Sequence, residues 1–172
     1  MTSAPQQLRP GAGTVTVRRA TPADARTVHT LVLEIAAHEG DSTHVAVTPE
    51  VWARLLGRDD VLVTLAEADG QVLGYASAVR RLHLWSGGDV LAVDDVYVRP
   101  GARDQGVGRR LLVATARVAD VAGLTVVWGV EPGNHGAQRF YRRLGATLRD
   151  KVVAAWTPTA YRRVIADAEA GR

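Results

Sequence analysis

Two glycines open a predicted helix directly after a predicted strand, in the motif Arg103-x-x-Gly106-x-Gly108. The first backbone amides of a helix have no partner inside the helix, and the helix dipole makes that end positive. Such an end binds phosphate or pyrophosphate. Glycine at 106 and 108 removes the Cβ atoms that would keep phosphates away from the backbone, and Arg103 and Arg109 can add charge-assisted contacts. The motif therefore predicts a phosphate cradle, with a ligand-free glycine-rich turn as the simpler alternative.

Two adjacent carboxylates, Asp94 and Asp95, lie within the predicted strand that leads into this turn. Carboxylates are unfavourable in the middle of a strand unless they face a cleft. Because adjacent strand residues point to opposite faces, we expect only one of the two to face a bound substrate. A carboxylate in a cleft can act as a general base. The simpler alternative is that one of them caps a neighbouring element or pairs with an arginine.

The apolar periodicity and the turn residues predict the order β-α-α-β-β-β-α-β-α-β. Asp69-Gly70 between two apolar runs predicts a hairpin. A continuous apolar run at 124–130 predicts a buried central strand. The predicted strands are 14–19, 61–68, 71–80, 89–99, 124–130 and 152–164, with a short one at 147–149. The predicted helices are 21–37, a short one from 48, 104–122 and 134–143.

Composition excludes several classes of function. The 172 residues fit a single domain, predicted at 14–166 between a flexible tail at 1–13 and a C-terminal tail at 167–172. The absence of cysteine excludes disulfides, thiolate metal sites and a cysteine nucleophile. The histidines lack metal-site spacing, so no metal is predicted. The apolar runs are too short to cross a membrane, no secretory signal is recognised, and no basic run is interleaved with aromatic residues. These features predict a cytoplasmic protein that binds neither a membrane nor nucleic acid.

Arg103-x-x-Gly106-x-Gly108 resembles the pyrophosphate-binding motif of the GNAT acyltransferase superfamily. The segment from Trp128 to Ala146, with Asn134-x-x-Ala137-x-x-Phe140-Tyr141, resembles the second cofactor motif of that family. The similarity extends over residues 14–163. It implies the GNAT fold, an α/β domain whose mixed, largely antiparallel sheet carries helices on both faces, with a V-shaped cleft between two central strands. It also implies acetyl-CoA as the acyl donor.

The resemblance implies roles for individual residues. The pantetheine arm would pair with Val96 and Val98 where their strand splays from the next, and Tyr141 would be the general acid for the departing thiolate. A core aromatic beside Phe140 is the simpler alternative for Tyr141. The implied cofactor-binding residues are Val96, Tyr97, Val98, Arg103, Asp104, Gln105, Gly106, Val107, Gly108, Arg109, Asn134, Ala137 and Tyr141.

Within the superfamily the chain is most similar to the polyamine and thialysine acetyltransferase branch, through Glu34–Glu39, Trp85 and Val93–Val98. That branch implies a homodimer that acetylates a small primary amine, such as a polyamine, a diamine or a lysine-like molecule. Two acidic residues of the branch are replaced, by His83 and Ala154. The alternatives are therefore an aminated antibiotic or a protein N-terminus as acceptor, or a non-catalytic acetyl-CoA sensor. The implied catalytic residues are Tyr141, Asp94 and Asp95. The implied acceptor-binding residues are His38, Glu39, Trp85, Asp94, Asp95 and Trp156.

Overall fold

The computed structural model describes residues 13–40 and 45–171. The predicted N-terminal tail lies outside the described residues, apart from Gly13. The chain forms two compact units that divide after Gly129. The first unit contains the sheet, and the second, from Val130 onwards, contains two helices.

Seven strands and helices of the first unit match predicted elements to within a few residues, and one more, a short helix, starts where it was predicted. Its strands are β1 (Thr16–Arg19), β2 (Val61–Ala68), β3 (Gln71–His83), β4 (Gly88–Val98) and β5 (Thr125–Trp128). Its α-helices are α1 (Ala25–Glu39), α2 (Pro49–Leu55) and α3 (Val107–Val121), with 3-10 turns at Pro22–Asp24 and Pro100–Ala102. The helices of the second unit are α4 (His135–Arg143) and α5 (Pro158–Ala170).

The five strands follow each other in the sheet in chain order. The pairs β1–β2, β2–β3 and β3–β4 are antiparallel, and β4–β5 is parallel. This confirms the prediction of a mixed, largely antiparallel sheet. The β2–β3 turn has Asp69 and Gly70 at φ of 52° and 72°, the left-handed backbone that a two-residue hairpin turn requires.

Helices cover both faces of the sheet, as predicted. On one face α1 contributes Val28 and Leu31 to a core that contains Leu65 and Tyr75. Burying each of these large side chains contributes about 1.5–3 kcal/mol. On the other face α3 packs its buried residues Val107, Leu111 and Ala119 against the sheet. The sheet is therefore a rigid middle layer, and the ends of its strands hold their side chains in defined positions.

The predictions of a last strand at 152–164 and of a short one at 147–149 are wrong. Residues 147–157 have no regular secondary structure, and Pro158–Ala170 form α5, which continues into the predicted C-terminal tail. Local start signals explain the helix, because Thr157 accepts a hydrogen bond from the Ala160 amide and Pro158 occupies the first helical position. Val164 and Ile165 favour a strand, but the alanines and arginines around them favour a helix.

The prediction that 124–130 is a buried central strand is also wrong. β5 covers only Thr125–Trp128, is partly exposed, and is the last strand of the sheet in the described part of the chain. Because β4 is the only strand that pairs with β5 among the described residues, the cleft implied between two central strands would lie at the edge of the sheet.

Thr64 provides a stability prediction for this core. Its side chain lies on the α3 face between Leu62 and Ala66 and is 4% exposed, and its hydroxyl has no hydrogen-bond partner among the described residues. A buried unpaired hydroxyl destabilises the fold by about 1–3 kcal/mol. We therefore expect Thr64→Val to raise the free energy of unfolding by about 1 kcal/mol, measured by urea denaturation.

Thr115→Val is the matched control for this change. Thr115 is equally buried in α3, but its hydroxyl donates to the Leu111 carbonyl oxygen at 3.1 Å. The same substitution there removes a hydrogen bond, so it should not stabilise the protein. Destabilisation by both variants would contradict the assignment of Thr64 as unpaired.

Candidate active site

The carboxyl half of β4 extends beyond its neighbour β5. The pairing of β4 with β5 runs only from Val90 opposite Thr125 to Val93 opposite Trp128. On its other side β4 stays paired with β3 as far as Val98. Residues 94–98 therefore continue past the last residue of β5 that pairs with β4, and the splaying that the family resemblance implied for these two strands stays a prediction.

Two contacts on the β3 side of β4 show which of its backbone groups face the open edge. The amide of Asp95 donates to Ser77 Oγ at 3.1 Å, and the amide of Arg99 donates to the Leu73 carbonyl at 2.9 Å, so both point towards β3. Backbone polar groups alternate in direction along a strand. Those of Val96 and Val98 therefore point away from β3, where an extended ligand can pair with them as a surrogate strand.

The turn after β4 brings the amino end of α3 next to this edge. The first helical hydrogen bond runs from the Arg110 amide to the Gly106 carbonyl oxygen at 3.1 Å. The amides of Val107, Gly108 and Arg109 consequently have no partner within the helix. Val107 is only 1% exposed and packs on the sheet, so the direction of these amides is fixed by the core.

Gly106 shapes the cradle in front of those amides. It precedes α3 with a φ of 76°, a backbone that favours glycine, and a Cβ added to it would meet no protein atom within 4 Å. The position that a side chain at 106 would take is thus open in the structure. The unpaired amides, the positive end of the helix dipole and the open position at Gly106 together fit a pyrophosphate group.

The side chain of Arg103 lies along the open edge of β4. Its Nε donates to the Val98 carbonyl oxygen at 3.0 Å, and its Nη2 lies 3.4 Å from His38 Nε2 at the end of α1. His38, predicted in the acceptor site, therefore contacts a predicted cofactor residue. The other loop residues, Asp104 and Gln105, are exposed, and the Gln105 amide group donates to the Gly101 carbonyl at 3.0 Å.

An ion pair holds the end of β4 that carries this loop. The Arg99 guanidinium makes two hydrogen bonds to the Glu34 carboxylate of α1, at 2.9 and 2.7 Å, and a third to the Val72 carbonyl at 2.7 Å. Burial and the Glu34 carboxylate raise the pKa of the neighbouring Tyr97 phenol. Sequence analysis missed the Arg99–Glu34 pair because its members are 65 positions apart.

A β-bulge lies at the two predicted carboxylates. Ser77 pairs with Asp95 and Ala78 with Val93, so Asp94 is the extra residue. Asp95 Oδ2 accepts hydrogen bonds from Tyr75 Oη and from Ser77 Oγ, both at 3.0 Å. Tyr75 and Ser77 were not identified from the sequence; only the pairing register of β3 with β4 brings them to Asp95.

The electrostatics of this region are dominated by carboxylates. Asp94 is exposed as a whole residue, yet partial desolvation of its carboxyl, followed by the charge of Asp95, raises its pKa, with Arg81 acting in the opposite direction. Burial is the main cause that raises the pKa of Tyr75, and Asp95, Glu39 and Asp94 raise it further. Glu39 therefore belongs to the same acidic region as the predicted pair.

Trp85 lies apart from these groups. It is 96% exposed at the tip of the β3–β4 hairpin, in an edge contact with His83 at 6.5 Å between ring centroids. The strand from Gly88 to Asp94 alone separates them by about 20 Å at the usual rise per residue. The structure therefore does not bring Trp85 to the carboxylates of its own chain, and its role in acceptor binding stays a prediction.

The remaining predicted residues lie in the second unit. Asn134 caps α4, where its side-chain oxygen accepts from the Ala137 amide at 3.0 Å. Tyr141 is buried, and burial raises the pKa of its phenol. Its ring lies 5.3 Å from that of Phe140. Trp156 is 65% exposed and meets Tyr161 edge-on.

The described residues hold neither a metal-binding cluster of side chains nor a helix that could span a membrane. Over residues 13–40 and 45–171, no group of three or more histidine, aspartate or glutamate side chains could hold a metal ion. In the same part of the chain, every helix is too short or too polar to cross a membrane.

Known proteins are similar to this chain in sequence and in fold. The model of the acetyltransferase (GNAT) family matches residues 27–146. The chain is 35% identical over 85 residues to a D-amino-acid N-acetyltransferase of Saccharomyces cerevisiae, a match that covers 49% of this chain and 52% of the yeast enzyme, so the chain spans about half of that relative. It is 28% identical over 143 residues to a thialysine N-epsilon-acetyltransferase of Bos taurus, covering 77% and 84% of the two chains.

Two solved structures illustrate the shared fold. An aminoglycoside acetyltransferase from an uncultured soil metagenomic sample, in complex with trehalose, superposes with a TM-score of 0.73 at 19% identity, covering 83% of this chain and 95% of that chain. The aminoglycoside N-acetyltransferase AAC(6')-Iy, in complex with CoA, superposes with a TM-score of 0.71 at 21% identity, covering 88% and 99%. At these identities the likeness concerns the fold alone.

Proposed function

Because the chain belongs to the GNAT acetyltransferase family, we propose that it transfers an acetyl group from acetyl-CoA to the primary amine of a small molecule, such as a polyamine, a diamine or a lysine-like amino acid. One observation carries this choice of acceptor. Asp94 and Asp95 directly precede Val96, so the carboxylates stand beside the open strand edge. Carboxylates next to the acyl-donor site favour an acceptor that arrives as a cation.

The names of two relatives support this acceptor class. The yeast and bovine enzymes are named for acetylation of a D-amino acid and of the ε-amine of thialysine. Both acceptors are small molecules with an amine. Of the two matches, the bovine one covers more of this chain, and its named acceptor carries an amine at the end of a side chain, as lysine does.

The proposed mechanism assigns a task to each group. Acetyl-CoA supplies a thioester, the activated acyl donor. The amides of Val107, Gly108 and Arg109 bind its pyrophosphate, and the backbone of Val96 and Val98 holds its pantetheine arm.

The carboxylates and the phenol then serve proton transfer. Asp95 attracts the ammonium form of the acceptor, and Asp94 takes the proton through water, so that the neutral amine can attack. As the new N–C bond forms and the C–S bond breaks, Tyr141 donates a proton to the departing sulfur, and the second proton that the nitrogen loses on becoming an amide returns through water to the Tyr141 phenolate. Direct attack with both substrates bound gains most from positioning.

Release of free coenzyme A thiol from acetyl-CoA, measured against a panel of amines, tests this proposal. The panel contains spermidine, 1,4-diaminobutane, lysine, thialysine, a D-amino acid, an aminoglycoside and a short peptide. We expect the highest kcat/KM with a diamine, a polyamine or a lysine-like acceptor. A clear preference for the aminoglycoside or the peptide would contradict the proposed acceptor class, although not the transfer reaction.

Asp94 also provides a prediction on pH dependence. A base must be ionised to work, so kcat/KM falls as the pH drops through the pKa of Asp94. Because desolvation and Asp95 raise that pKa, the loss should begin at a higher pH than for an ordinary aspartate. In Asp94→Asn this acid limb should disappear and kcat should fall about 100-fold. The pH profile of thiol release measures both.

Asp89→Asn is the matched control on the same strand. Asp89 pairs with Arg80 at 2.6 Å at the opposite end of β4, so its replacement should leave the profile unchanged. An unaltered acid limb in Asp94→Asn would show that another group acts as the base.

The homodimer is still a prediction, which light scattering of the purified protein tests.

A further inference from the structure

A small hydrogen-bond network surrounds Asp95. Tyr75 Oη and Ser77 Oγ both donate to Asp95 Oδ2 at 3.0 Å, and Ser77 Oγ also accepts from the Asp95 amide at 3.1 Å. Among the described residues, no donor contacts the other oxygen, Oδ1. One oxygen of the carboxylate is thus held by two donors while the second stays available to a further donor.

The core determines where these two donors lie. Tyr75 is fully buried, and its ring packs in the α1 face of the core, 6.4 Å from the ring of Tyr97. A ring enclosed in this way has one rotamer, so its hydroxyl has one position. Burial and the surrounding carboxylates raise the pKa of Tyr75. The phenol therefore keeps its proton at neutral pH and serves as a permanent donor.

Ser77 connects the network to the β-bulge. The ladder shifts between Ser77 and Ala78, at the point where Asp94 is inserted. The Ser77 hydroxyl accepts the amide hydrogen bond of Asp95 at this shift and returns one to its carboxylate. A single side chain thereby fixes both the backbone and the carboxylate of Asp95.

We propose that Tyr75 and Ser77 are positioning residues, which hold Asp95 by Oδ2 so that Oδ1 is presented to the ammonium group of the acceptor. This inference rests on the proposed function, because it concerns the same acceptor site. A carboxylate on a flexible strand edge would have to lose rotational freedom when the acceptor binds. With the orientation already fixed, that loss is incurred on folding, and the acceptor binds more tightly.

The test is a double-mutant cycle with the amine that turns over fastest in the panel. We expect Tyr75→Phe and Ser77→Ala each to raise the KM for the acceptor about tenfold, since each removes a hydrogen bond to a charged group. The KM for acetyl-CoA should stay unchanged. In the Asp95→Ala background, Tyr75→Phe should cause no further rise, because its hydroxyl then has no carboxylate to hold. Thr64→Val, which also deletes a buried hydroxyl, should change neither KM.

Two results would overturn the inference. An equal rise in the acceptor KM in the presence and in the absence of the Asp95 carboxylate would mean that Tyr75 acts through packing. A parallel rise in the KM for acetyl-CoA would mean a general distortion of the sheet. The acceptor class is tested separately, since a preference for an aminoglycoside or a peptide contradicts the proposed function while the cycle can still be completed with that acceptor.

Discussion

Gly106→Val is expected to raise the KM for acetyl-CoA at least about 100-fold, because two or more charge-assisted hydrogen bonds to phosphate would be lost. The Cβ and its two methyl groups would occupy space next to the first α3 amides that is open in the structure. The pyrophosphate could then no longer approach the amides of Val107 and Gly108. Steady-state kinetics of thiol release and calorimetric titration with CoA both measure this loss.

Backbone strain must be separated from loss of the ligand site. A β-branched residue at a φ of 76° is strained by about 1–3 kcal/mol wherever it occurs. Gly123→Val is the matched control, since Gly123 has a φ of 63° just past the other end of α3 and equally open surroundings. Both variants should lose similar stability on thermal unfolding, but only Gly106→Val should lose affinity for CoA. Equal affinities in the two variants would refute the cradle.

Local signals explain which parts of the fold could be predicted. The bounds of β2 were predicted to the residue because Asp69-Gly70 both ends one strand and starts the next. The elements around the predicted cradle are equally local, since a strand, a glycine at positive φ and a helix start occur within ten residues. Each of these features depends on backbone preferences that a short segment carries by itself.

The features that failed depend on pairing. Residues 152–164 can form a strand only if another strand offers a free edge to pair with. The apolar alternation within the segment carries no information about such a partner. The helix-start signals at Thr157 and Pro158 are present in the sequence, but sequence analysis missed them. The prediction that β5 is central failed with it, since a strand is central only if both of its neighbours form.

The surroundings of the two carboxylates proposed for the acceptor site could be predicted only in part, for the same reason. Asp94 and Asp95 stood out as carboxylates within a strand, whereas Tyr75 and Ser77 resembled ordinary strand residues. Their relation to Asp95 depends on a one-residue bulge that shifts the register of β3 against β4. A register shift exchanges the faces of all later residues, so the partners of Asp95 become visible only in the folded chain.

Tyr141→Phe is expected to lower kcat about 100-fold while leaving the KM for acetyl-CoA unchanged, the loss typical of a missing general acid. The phenol is buried, and burial raises its pKa above the ordinary value of 10. Because the protonated form is the active one, wild-type activity should fall only as the pH rises through this raised pKa, and the variant should lack that limb. Tyr161→Phe removes a partly exposed phenol of the same unit and should behave as wild type. An unchanged kcat in a folded Tyr141→Phe protein would assign the phenol to the core beside Phe140, and proton donation to another group.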